Sequence, residues 1–129
     1  MARLILDSGA VIALAAREPR ARAFIDRALQ RRDLVVLPAV VIAETTRGNP
    51  RDAAVNRVIA MVHEIAPVTE PVAREAGRLL GMANAGNLTI GALIAAEAVL
   101  SGSATIMTGD PKDLLTLVAN HPRIRIYPV

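Results

Sequence analysis

The chain has 129 residues, 53% of them apolar, and Phe24 and Tyr127 are its only aromatics. That suffices for one ordinary domain with a buried core and is too apolar for a disordered chain. Cysteine is absent, which excludes disulfides, zinc–thiolate sites and cysteine nucleophiles, while a net charge of +3, from fourteen Arg and one Lys against twelve acids, favours polyanionic partners.

Residues 3–6 read as a short apolar strand, followed by Asp7-Ser8 and a helical stretch over 8–16. Residues 20–31 carry Phe24, Ile25, Ala28 and Leu29 at helical spacing, with arginines left for the outer face. A second strand over 34–37 ends at Pro38, which suits the first turn of a helix that contains Glu44 and is capped by Gly48. An amphipathic helix is predicted over 51–64. Residues 65–68 suit an edge strand, because Pro67 cannot donate to a central ladder. Thr69 caps a helix over 70–82, a loop covers 84–88, and a mostly apolar helix covers 89–100. A buried strand over 104–107, a helix over 111–119 and a last strand over 124–127 complete the chain.

Such alternation predicts an α/β fold, a parallel sheet between helical layers, as a single domain over residues 1–129. No uncharged apolar run approaches ~18 residues and no basic-then-apolar leader opens the chain, so no membrane segment is expected and the cytoplasm is the expected compartment.

Three acids stand out. Asp7 and Asp110 directly follow apolar strands, and open α/β sheets place ligands at the carboxyl ends of their strands. Glu44 lies among Val40, Val41 and Ile42, so it should be half-buried and in need of a partner. Converging carboxylates repel unless a hard cation joins them, which points to a magnesium-type site. Each acid also has a plainer role. Asp7 is placed to cap a helix, for about 1 kcal/mol. Asp110, with Pro111 and Asp113 behind it, resembles a first turn matched to the helix dipole. Arg47 could pair with Glu44 at i+3 for little energy.

Other chemistries lack their signatures. There is no phosphate-cradling Gly-rich loop, Ser8 is not in a nucleophile elbow, and neither His63 nor His121 has a triad frame. Glu97 reads as a solvated helix residue. A phosphoaspartate receiver would need a second acid near Asp7, and Ser8-Gly9-Ala10 supplies none.

Taken in order, Leu6-Asp7-Ser8, Ala43-Glu44 in an early helix, Ala92-Leu93-Ile94-Ala95-Ala96 in a late one and Thr108-Gly109-Asp110-Pro111-Lys112-Asp113-Leu114 resemble a PIN-domain ribonuclease. More narrowly, they resemble the VapC toxin of a bacterial toxin–antitoxin pair. The resemblance implies a PIN-like three-layer sandwich whose central, mostly parallel sheet is flanked by helices. It implies a magnesium-dependent endoribonuclease, manganese being the alternative metal, that hydrolyses RNA. Asp7, Glu44 and Asp110 would be its metal-holding catalytic acids, with Ser8 and Thr108 in support. A homodimer and a VapB-type antitoxin are the implied partners. The family's late helix usually opens with an Asp, and here that position is Gly91, so activity would be weakened or lost. The alternative is a non-catalytic PIN-like module that binds RNA or antitoxin without cleavage.

Overall fold

The computed structural model describes residues 2–129. Five strands, β1 (Arg3–Leu6), β2 (Leu34–Pro38), β3 (Glu64–Ala66), β4 (Ala104–Thr108) and β5 (Ile124–Pro128), form one sheet in the order β3-β2-β1-β4-β5. Every pairing is parallel. The central strands are near-continuous apolar runs, as a sheet covered on both faces requires: Leu4, Ile5, Leu6, Val35, Val36, Leu37, Ile106 and Met107 are all buried.

Seven α-helices connect and flank the sheet: α1 (Ser8–Ala15), α2 (Pro19–Gln30), α3 (Ala39–Thr45), α4 (Ala53–Met61), α5 (Glu70–Ala83), α6 (Thr89–Ser101) and α7 (Pro111–Leu117). Thr69 caps α5 as expected, its hydroxyl accepting from the Val72 amide. The α6 helix is apolar on nearly all sides because it is sandwiched. Ala92, Ile94, Ala95, Ala96 and Ala98 are buried, and the alanines let it sit close to its neighbours.

The helix expected over 51–64 is shorter. A 3₁₀ turn over Pro50–Asp52 precedes α4, because the Asp52 carboxylate folds back onto the amides of Arg47 and Gly48. Beyond Met61 the chain turns extended. His63 joins the extended chain to β2: its Nδ1 accepts from the Val35 amide at 2.9 Å and its own amide donates to the Val35 carbonyl. That pair starts the β2–β3 ladder at Glu64, and Pro67 stops it after Ala66. Pro38 ends β2 and precedes α3 rather than lying in its first turn, and Gly48 sits two residues past the Thr46 cap with φ +76°. Glu97 is half-buried rather than solvated. Burial, then the nearby Glu64 carboxylate, raises its pKa.

Strands β1, β2 and β3 step outward on one side of the sheet, and β4 and β5 on the other. The direction reverses between β1 and β4, and a crevice opens at the carboxyl ends of such a pair. Asp7 and Asp110 follow those two strands.

Candidate active site

Asp7, Glu44, Asp110 and Gly91 all line one cavity of about 430 Å³, together with Ser8 and Asp113. Each is delivered by a different element end. Asp7 ends β1, and its amide donates to the Met107 carbonyl of β4 at 2.9 Å, which ties the two strand ends together. The loops beyond them press closer still. A Cβ placed on Gly9 would lie 2.5 Å from the Gly109 nitrogen and 2.7 Å from its Cα, so only glycine allows the start of α1 to meet the β4–α7 loop.

The buried hydroxyl of Thr108 organises this junction. Its Oγ1 donates to Asp7 Oδ2 at 2.6 Å and accepts from the Asp110 amide at 2.9 Å. The other Asp7 oxygen accepts from the Ser8 amide at 2.7 Å. Both oxygens of Asp7 are therefore fixed, at 9% exposure. The capping role open to Asp110 is not taken up: its side chain makes no bond to the first turn of α7.

Glu44 is the least satisfied group in the site. Its Oε1 is buried with no hydrogen-bond partner, and burial, with the Asp7 charge second, raises its pKa. Arg47 does not come to its aid. That guanidinium instead donates to the carbonyls of Ala43 and Thr46 at the end of α3. An orphaned acceptor facing other carboxylates is a costly arrangement unless a cation relieves it.

Asp113 is a fourth carboxylate of the cleft, although its sequence context suggests only a partner for the helix dipole. Hydrogen bonding to Asp110 is the leading cause that raises its pKa, followed by burial and the Asp110 charge. The available signal is its place three residues after Asp110, which puts both at the same end of α7. Gly91 lies in the first turn of α6, whose N-cap position, Leu88, offers no side-chain cap. A Cβ there would meet Leu117 Cδ1 at 3.5 Å, an ordinary contact.

Among the described residues, no three His, Asp or Glu side chains already stand at metal-ligand spacing. The four carboxylates share a cavity without being drawn into a closed ligand cage. Magnesium suits such a donor set. It takes oxygen ligands, commonly one or two carboxylates, and keeps several of its waters, and the orphaned Glu44 Oε1 is the kind of atom a hydrated cation would satisfy.

The PIN domain family model matches residues 4–116. No curated protein matches the chain. Among solved structures, a chain of VapBC2 from Rickettsia felis, bound to a DNA fragment from its promoter, is similar with a TM-score of 0.72 and 14% identity, covering 98% of both chains. FitAcB from Neisseria gonorrhoeae gives 0.66 and 20%, covering 96% of both. DNA-bound VapBC from Salmonella typhimurium gives 0.65 and 14%, covering 99% of this chain and 98% of the other. At these identities the likeness establishes the fold.

Proposed function

The chain belongs to the PIN domain family, and from that premise we propose that it is a VapC-type toxin, an endoribonuclease that hydrolyses RNA phosphodiester bonds with a divalent cation, magnesium or else manganese. The observation that carries this reading is the unpartnered Glu44 Oε1 in a cleft shared with Asp7, Asp110 and Asp113. PIN domains are generally nucleases and typically use divalent metals, and the solved relatives belong to toxin–antitoxin complexes.

Asp7 and Asp110 would hold the cation, directly or through water, with Asp7 pre-oriented by Thr108 and Ser8. A bound magnesium ion supplies Lewis acidity, making water a stronger acid and offsetting charge on the scissile phosphate. Glu44, with its raised pKa, is suited to orient the attacking water and take its proton at Oε1. The uncapped start of α6 turns backbone N–H groups and the positive end of its dipole toward the same cleft, which helps to hold a phosphate. Ser8 and Thr108 position carboxylates rather than attack, so hydrolysis proceeds without a covalent protein intermediate.

Gly91 favours the second reading, a binding module that has lost cleavage, because the cleft lacks an acid in the first turn of α6. RNA cleavage by the native chain, by Asp7→Asn and by Asp110→Asn, each with magnesium and with chelator, separates the two. Weak magnesium-dependent cleavage that either variant abolishes supports the nuclease. RNA binding that ignores magnesium, with no cleavage, supports the module.

A VapB-type antitoxin and a second copy of the chain complete the proposed assembly, with residues 1–129 acting as one unit in the cytoplasm. No helix among the described residues is long and apolar enough to cross a membrane. An antitoxin arginine reaching the carboxylates would inhibit by taking the cation's electrostatic place. Two-fold dimers are the commonest oligomer, and sedimentation showing only monomer at micromolar concentration would overturn the dimer.

A further inference from the structure

A second groove, of about 580 Å³ against about 430 Å³ for the acidic cleft, is lined by residues that begin β1 and β4 and run along β5, so it opens toward the amino ends of the strands. Leu4, Thr105 and Arg125 are in register across β1, β4 and β5, and parallel residues in register project to the same face. Tyr127, two positions after Arg125, shares that face and stacks on Phe24 of α2, ring centroids 3.6 Å apart. The groove thus lies between α2 and the β4–β5 edge of the sheet.

Four arginines and one aspartate line it. Arg31 is tied to Asp33 at 2.9 Å, and Arg3 reaches Glu64 at 3.9 Å. Arg123 and Arg125 take part in no ion pair among the described residues. Ser103 and Thr105 add hydroxyls to the same wall. At the far end the Arg20 guanidinium stands 5.6 Å from the Tyr127 ring centroid. Unpaired guanidinium groups beside hydroxyls are suited to phosphate oxygens. Tyr127 is covered on one face by Phe24 and approached by Arg20, leaving little room for a base to stack, so recognition would run through the backbone.

We propose that this groove is a second RNA contact, holding the phosphodiester backbone of a single-stranded segment of the substrate at the end of the sheet opposite the cleft. The proposal rests on the reading that RNA is the substrate. A crevice between one helix and one sheet edge suits a single strand tracked by positive charge. Charge on an edge strand also protects against edge-to-edge pairing, which accounts for Arg123 and Arg125 alone. It does not account for the hydroxyls of Ser103 and Thr105 in the same groove, nor for Arg31 lining it from α2's side.

The test is anisotropy of a labelled oligouridylate of roughly 20 nucleotides with the full chain in chelator, across a salt series. Arg123→Gln/Arg125→Gln should weaken binding several-fold and reduce the salt slope by about 1.4, at about 0.7 per lost phosphate contact. Arg123→Lys/Arg125→Lys should keep the native slope, which separates lost charge from a damaged strand. Native-like binding and slope in the Gln pair overturn the proposal, as does loss of binding in the Lys pair as well. Stronger capture of polyglutamate than of RNA by the native chain overturns it too, since an acidic protein segment would then be the occupant. Cleavage of the same RNA in magnesium is scored separately. Weakened binding without cleavage keeps the groove and removes the nuclease, and cleavage with unaltered binding does the reverse.

Discussion

Gly91 is where the cleft departs furthest from a full set of acids, and the space for one exists. The Cβ of a residue there would make only an ordinary contact with Leu117. Gly91→Asp should therefore fold, strengthen magnesium binding and raise RNA cleavage well above that of the native chain. The helix itself gains up to about 1 kcal/mol on replacing Gly in its first turn, plus the dipole's preference for an acid. In chelator that gain is offset, because a further negative charge joins Asp7, Glu44, Asp110 and Asp113. Thermal unfolding of both proteins, with magnesium and with chelator, checks this: the variant should show the larger metal-induced rise in Tm. An unchanged metal response would mean that position 91 does not serve the site. Asp7, Glu44 and Asp110 are legible in the sequence because two follow strands directly and one interrupts an apolar helix. The support around them is named only through the resemblance, as Ser8 and Thr108, and what it does is not legible: the Thr108 hydroxyl bridges Asp7 and the Asp110 amide. Gly9 gives no sign in sequence that it must meet Gly109, a residue a hundred positions away.

At the scale of elements, the short helix α3 carries Glu44 in its last turn, and the segment leaving that helix decides where the carboxylate sits. The chain past α3 is stapled by Asp52, which accepts from the amides of Arg47 and Gly48 at 2.8 to 3.1 Å. These backbone bonds, Arg47 first, hold the Asp52 carboxyl below its usual pKa. A depressed folded pKa contributes stability above the unfolded value, and that contribution is lost as pH falls through the lowered one. Asp52→Ala should therefore lower Tm most at neutral pH, with the gap to the native chain closing toward acid. It should also reduce cleavage by loosening the end of α3. A gap in Tm that does not change with pH would show that the carboxylate's charge is not what matters. The staple also explains why the 51–64 segment is not one helix, since periodicity over Val55, Val58 and Ile59 carries no information about where the first turn starts. Strand direction agrees with the alternation of apolar runs and helical patterns, and the edge position of β3 with Pro67.

At the scale of the whole molecule, charge is segregated along the strand axis. Carboxylates gather at the carboxyl ends of β1 and β4, while unpaired arginines gather at the opposite end beside β5. The acidic end stores instability. Glu44 is raised in pKa by burial and by Asp7, and Asp113 by its bond to Asp110. A group with a raised folded pKa binds its proton more tightly in the folded state, so folding is favoured below the usual carboxylate range and loses that advantage as pH rises through the folded value. Above that raised value the native chain holds Glu44 ionised at a cost, and removing the charge relieves it. Glu44→Gln, in chelator, should raise Tm relative to the native chain, with the difference growing from acid toward neutral pH. In magnesium the order should narrow or reverse, since a ligand that binds only the folded state stabilises it by RT ln(1 + [L]/Kd), and the native cleft binds the cation more tightly. The same variant should lose RNA cleavage. If Glu44→Gln destabilises the protein in chelator at every pH, Oε1 has a partner after all, and the cation-relief argument for the cleft fails with it.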